Sequence, residues 1–192
     1  MLSCNVNGKK YVYLFEEGSR EMVDLLGGKG AGLSEMKKIG LEVPPGFTIT
    51  TEACRDFLKT SKFPDGMLQQ ALDALRVIEK QAGKKFGSTD NPLLVSVRSG
   101  APVSMPGMMD TILNVGLNDK TVSGLSHMTS NPRFAWDSYR RLIQMFGSVV
   151  LGIKREEFEA EIESAKKGKG YRFDTEMDTT DLQALVEKVG GI

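Results

Sequence analysis

LGGKGAGLSEM, residues 26–36, is the stretch on which the reading of this chain turns. Glycine lacks a Cβ, so residues Gly27 to Gly30 leave backbone N–H groups unshielded and can form an anion-binding concavity. A helix opening just afterwards would aim more N–H groups, and the positive end of its dipole, at the same point. Lys29 adds a mobile point charge suited to a phosphate. Residues 30–39 have helical composition, with Leu33, Met36 and Ile39 on one face and Gly40 as the stop. Two familiar templates fail. Lys29 is followed by Gly30 rather than by the hydroxyl a P-loop offers to magnesium, and the dinucleotide fingerprint needs glycine where Leu33 stands. Taken alone, a plain glycine-rich turn explains the stretch as well as a phosphate site does.

Working outward, Tyr11–Phe15 reads as a strand. Pro44-Pro45-Gly46 forces a stiff turn before a second strand, Phe47–Thr50. Thr51 is placed to cap a helix running to about Leu58. A further helix over 66–82 sets Leu68, Leu72, Leu75 and Ile78 at helical spacing. Leu93–Val97 is a compact apolar run that reads as a buried strand. After residue 117 only helical periodicity remains. Pro132 suits a first turn, and Tyr139, Leu142, Ile143, Phe146, Val149 and Val150 share one face. Helices follow over 154–167 and 179–189, the latter opened by Thr179 or Thr180. The expected class is α+β, with an α/β part over 1–117 and an all-helical subdomain over 118–192. The chain stops at Gly190-Gly-Ile192 without a terminating element, which suggests a longer parent.

Across the 192 residues, 25 Lys and Arg balance 25 Asp and Glu. No general field therefore draws the chain to nucleic acid or to an anionic membrane, and any anion site must be local. No apolar run approaches spanning length, and the first ten residues do not resemble a signal peptide. Cys4 and Cys54 are too few for a disulfide framework and lack metal-ligand spacing. A cytoplasmic enzyme or enzyme piece is the default reading, with an organelle open if a targeting segment is missing.

A second segment, LLVSVRSGAPVSMPGMMDT at 93–111, complements the first. Arg98 ends an apolar strand, where a guanidinium is costly unless it meets an anion or emerges at the strand tip. Strand ends are common ligand positions. Ser99, Ser104 and Thr111 supply hydroxyls, Gly100 and Gly107 permit close backbone approach, and Met105, Met108 and Met109 could cover an aromatic base. An arginine–carboxylate pair with methionines filling a core gap is the competing explanation. In NPRFAWDSYRRLIQMFG, 131–147, Arg140 and Arg141 project about 100° apart on a helix, so only one readily shares a site. Trp136 and Tyr139 read as core or interface residues. His127, the only histidine, has no orienting partner beyond Ser126 and reads as structural or surface. The acidic run 156–161 reads as a solvated helix face.

LGGKGAGLSEM, VPPGFTITTEA, PLLVSVRSGAPVSMPGMMDTILNVGLN and NPRFAWDSYRRLIQMFG occur in the order found in the pyruvate, phosphate dikinase family. The resemblance runs from about Tyr11 to the end of the chain. Phosphoenolpyruvate synthases are similar around GGK and PPGF, but SMPGMMDT resembles the dikinase loop. The resemblance implies part of an ATP-grasp-like domain that transfers the β-phosphoryl group of ATP to a histidine on a separate swivelling domain. A third, pyruvate-binding barrel domain then makes phosphoenolpyruvate. It implies ATP contacts from Gly28, Lys29, Gly30, Arg98, Ser104, Met108, Met109, Asp110, Thr111 and Arg141, with Lys29 and Arg98 also catalytic. The loop 99–111 would cover the nucleotide, and residues from 118 would form a helical insert. The family's Mg2+ ligands, phosphate-accepting histidine and barrel cysteine fall beyond this chain, so the remaining ATP-grasp half and both other domains are implied partners. The full-length parent is expected to be a homodimer, and the piece alone inactive. A phosphoenolpyruvate synthase-type phosphotransferase, or an interaction module that kept the fold and lost the chemistry, are the alternatives.

Overall fold

The computed structural model describes residues 8–100 and 110–191. Two compact units pack around separate cores, one from the residues up to Gly83 and the other from Lys84–Arg98 together with Asp110 onward. The class is α+β, helices with two small antiparallel sheets.

In the first unit, β1 (Val12–Leu14) pairs antiparallel with β2 (Phe47–Ile49), Tyr13 lying opposite Thr48. Two single 3-10 turns and helix α1 (Val23–Lys38) fill the crossing between them. Helices α2 (Thr51–Thr60) and α3 (Met67–Ala82) follow. Tyr11, Val12, Ala53, Met67 and Ala74 form the core. The cap of α2 is Thr50 rather than Thr51: the Thr50 hydroxyl accepts from the Ala53 amide at 3.3 Å.

The inner face of α1 is not the one that large apolar residues mark. Its buried residues are Leu26, Gly27, Gly30, Ala31 and Ser34, whereas Ile39 is 65% exposed. Small side chains let neighbouring groups come close, and that decides the face. A Cβ on Gly18 would sit 2.6 Å from Leu26 Cδ1, and one on Gly30 would sit 2.8 Å from Thr48 Oγ1. On α3 likewise Met67, Ala74 and Ile78 are buried while Leu68 and Leu72 stay exposed.

In the second unit, β3 (Val95–Arg98) and β4 (Thr111–Val115) form an antiparallel hairpin with an irregular register between Val95 and Val97. The strand starts two residues later than its hydrophobic run, and its outer part is not buried: Val97 is 51% exposed. Helices α4 (Thr121–Thr129), α5 (Pro132–Val149), α6 (Arg155–Lys169) and α7 (Thr179–Val189) complete the unit. Ile112 and Leu117 bury against Val122, Leu125, Ala135 and Leu142, so residue 117 lies inside this unit. A second cluster joins Phe158, Ile162, Met177, Leu182, Leu185 and Val189, and Trp136 packs against both clusters. Phe146, Val149 and Val150, expected on the inner face of α5, are exposed.

Capping sets the helix starts. Asn131 accepts from the Phe134 amide at 3.0 Å ahead of Pro132. Asp178, not a threonine, opens α7, accepting from the Asp181 amide at 2.9 Å while Asp181 accepts from the Asp178 amide at 3.2 Å. Inside α5, Gly147 leaves room for the Phe158 ring, which an added Cβ would strike. Gly147→Ala should therefore lower unfolding free energy by about 1–3 kcal/mol. Gly168→Ala, in α6 where an added Cβ meets nothing within 4 Å, should raise it by about 0.5–1 kcal/mol. Urea-denaturation midpoints moving in opposite directions would bear this out.

Candidate functional site

Gly27 has φ 69° and ψ 164°, outside the helical region, and divides α1 into a first turn, Val23–Leu26, and a second segment. The glycine turn expected over 27–30 thus contracts to one residue, and Gly28, Lys29 and Gly30 already belong to the helix. Glycine tolerates this backbone conformation at little cost, whereas a side chain would not. Helix resumes immediately, so the amides of Gly28, Lys29 and Gly30 stand in the first turn of the second segment, where backbone donors are least fully used. They lie at the positive end of its dipole. Gly28 is exposed, Lys29 half-buried and Gly30 buried. The absent Cβ of Gly30 has its own reason, the close seat on Thr48.

Arg98 is the last residue of β3 and is exposed, the strand-tip alternative for its charge. Its register partner is Thr111, the first residue of β4. The two ends of the methionine-rich segment therefore meet at the mouth of a hairpin, with Asp110 directly before Thr111. Ser104, Met108 and Met109 lie outside the described residues. Spacing alone did not reveal β4, although the β-branched and apolar residues of Thr111–Val115 after a glycine-rich stretch are a strand signal.

The adjacent arginines of α5 have different environments. Arg140 is 4% exposed; its Nε and Nη2 donate to Asp137 Oδ1 at 3.0 and 2.7 Å, and Nη1 donates to Gln144 Oε1 at 3.2 Å. The Arg141 side chain is 61% exposed and donates through Nε to Asp137 Oδ2 at 2.9 Å. Arg140 is thus committed to the interior, and Arg141 is the one that can reach a ligand. A cavity of about 430 Å³ beside them is lined by Arg155, Glu159 and Glu163 as well. Its charges are matched internally, Arg155 with Glu159 at 2.8 Å and Glu163 with Lys166 at 2.5 Å. Internal pairing makes it a poor anion trap.

Tyr139 packs against the core and donates to Asp119 at 2.9 Å. Burial, then the neighbouring carboxylate, pushes its hydroxyl up to about 12. His127 is exposed near the end of α4, and Cys54 is an exposed free thiol on α2. Among the described residues, no three carboxylate, cysteine or histidine side chains gather to hold a metal ion. The donors present, amides, lysine and arginine, fit phosphate oxygens rather than Mg2+.

The profile of the family described as "Pyruvate phosphate dikinase, AMP/ATP-binding domain" matches residues 23–75. That span begins at the first residue of α1, just before the Gly27 kink. Pyruvate, phosphate dikinase of Clostridium symbiosum is 53% identical over 180 residues, 93% of this chain and 21% of its own length. The same-named protein of Entamoeba histolytica is 52% identical over 92% of this chain and 20% of its own. Over nine tenths of its length the chain is similar to pyruvate, phosphate dikinases. Chloroplastic pyruvate, phosphate dikinase of Mesembryanthemum crystallinum is 53% identical over 90% of the chain. The chain spans about a fifth of the length of these relatives. No described helix is long and apolar enough to cross a membrane.

The two arginines give a direct contrast. Arg140→Ala should cost about 3 kcal/mol of stability, because it opens a buried charge pair. Arg141→Ala should cost less than about 1 kcal/mol, as exposed ion pairs do. Thermal unfolding of both variants measures the difference, and equal losses would contradict the assignment.

Proposed function

We propose that the chain is the phosphate-gripping part of an ATP site in a longer pyruvate, phosphate dikinase, which converts ATP, pyruvate and phosphate to AMP, phosphoenolpyruvate and pyrophosphate. The observation that carries the reading is the family match over 23–75, which contains the Gly27 kink and the amides it presents. On this reading the unit is part of an ATP-grasp-like fold, and the helices after residue 117 are its insert. The rest of that fold, the histidine-bearing domain and the pyruvate-binding domain lie in the remainder of the full-length protein. The Mg2+ ligands belong to that remainder too, and the full-length protein is a cytoplasmic homodimer.

The amides of Gly28, Lys29 and Gly30 bind phosphate oxygens, and Lys29 supplies the mobile charge beside them. Arg98, at the mouth of the hairpin, stabilises charge that grows on the phosphates during transfer. Asp110 and Thr111 anchor the far end of the loop. Residues Ser104, Met108 and Met109 within that loop cover the nucleotide and exclude water. Arg141 makes a further phosphate contact with the nitrogens that Asp137 does not engage.

ATP-dependent phosphorylation of the acceptor histidine in the full-length protein tests this. Lys29→Ala and Arg98→Ala should each slow labelling by about 100-fold or more, the loss typical of removing one transition-state donor. Undiminished labelling in both variants would overturn the reading.

A further inference from the structure

The kink at Gly27 leaves a carbonyl without its helical partner. In an unbroken α-helix the carbonyl of Asp24 would accept from the amide of Gly28, four residues on. Gly27 turns that peptide away. The Asp24 oxygen instead accepts a 2.6 Å hydrogen bond from the hydroxyl of Thr51. Thr51 is the first residue of α2, so this bond ties the start of one helix to the turn before the kink of another. Its neighbours act in the same direction. Thr48 packs on Gly30 from β2, and Thr50, 1% exposed, caps α2 and donates its amide to the Tyr11 carbonyl at 2.9 Å. The stretch Phe47–Thr51 thus grips α1 on both sides of Gly27.

We propose that Thr51 is a positioning residue for the phosphate site: by holding the Asp24 carbonyl it fixes the kink, and with it the direction of the Gly28, Lys29 and Gly30 amides. The inference rests on the phosphate-binding role given to those amides. Without the hydroxyl, the first turn of α1 can swing toward straight helix, turning the Gly28 amide back to Asp24 and away from a ligand. Valine keeps the shape of threonine and removes the donor, whereas serine keeps the donor.

The test uses the full-length protein and steady-state kinetics with ATP, pyruvate and phosphate varied in turn. Thr51→Val should raise KM for ATP about five- to tenfold, leaving kcat and the other two KM values within about twofold, because one positioning hydrogen bond is lost from ground-state binding. Thr51→Ser should restore the ATP value. Hydrogen exchange at Gly28 should slow in Thr51→Val, because its amide gains the Asp24 carbonyl, while α3 stays unchanged. An unaltered ATP KM in Thr51→Val, or a serine variant as impaired as valine, would overturn the proposal. If valine does not fold, the serine variant alone decides, since it must keep the parental ATP KM. Lys29→Ala separates the two levels. If it weakens ATP binding while Thr51→Val does not, Thr51 has no positioning role; if it leaves ATP binding intact, the phosphate site itself is misplaced.

Discussion

A helix that breaks for one residue and then resumes is the constraint on which the first unit depends. With φ 69° and ψ 164° at Gly27, α1 kinks there, and the amides of Gly28, Lys29 and Gly30 stand in the first turn after the kink. An ordinary helix start has the same amides but usually covers them with a capping side chain. Here the residue at the break is glycine, and it has no side chain to offer. The polar groups freed on the other side of the break are treated differently: the Asp24 carbonyl is taken up by Thr51. Before the kink an acceptor is satisfied by a side chain; after it, on the proposed reading, the donors of the new first turn face a ligand. That asymmetry suits an anion.

Close approach by small residues holds this arrangement in place. Gly30 on Thr48, and Gly18 on Ser34 and Leu26, bring α1 against β2 and the preceding turn with no large side chain between. A contact of this kind leaves little freedom to rotate the helix, because the glycine meets its neighbours' side chains with no side chain of its own to give way. The second unit uses the same device where Gly147 meets Phe158. Beside its two apolar clusters, its electrostatic contacts are mostly self-contained. Asp137 serves both arginines of α5, and Arg133 donates to the carbonyls of Asp174 and Met177 at 2.9 and 2.8 Å, fastening the turn before α7.

Much of this was legible from residue chemistry. The helices after residue 117 were marked by their apolar period, although the end of α5 turned out exposed, and the glycine-lysine segment marked its own place because few structures need so many missing Cβ atoms. Elements fixed by tertiary contact were harder to read. The inner face of α1 was mistaken because large apolar residues were counted, while burial followed the small ones. Strand β4 was missed because the loop before it hides the pairing, and only the partner strand reveals the hairpin. Arg140 and Arg141 could not be ranked by spacing, since residues three and four beyond Asp137 both reach it; burial alone separates them. Thr51 was read as a helix cap, a local role, when its hydroxyl serves another helix 27 residues back in sequence.

The central claim is that the amides after Gly27 meet phosphate. Titrating the 192-residue chain with ATP, followed by amide NMR, tests it most directly, since NMR registers even weak binding. The account predicts shift changes centred on Gly28, Lys29 and Gly30, with a response at the Arg98 side chain and little in α7. Shift changes confined to the charged cavity between α5 and α6, with Gly28–Gly30 unmoved, would contradict it.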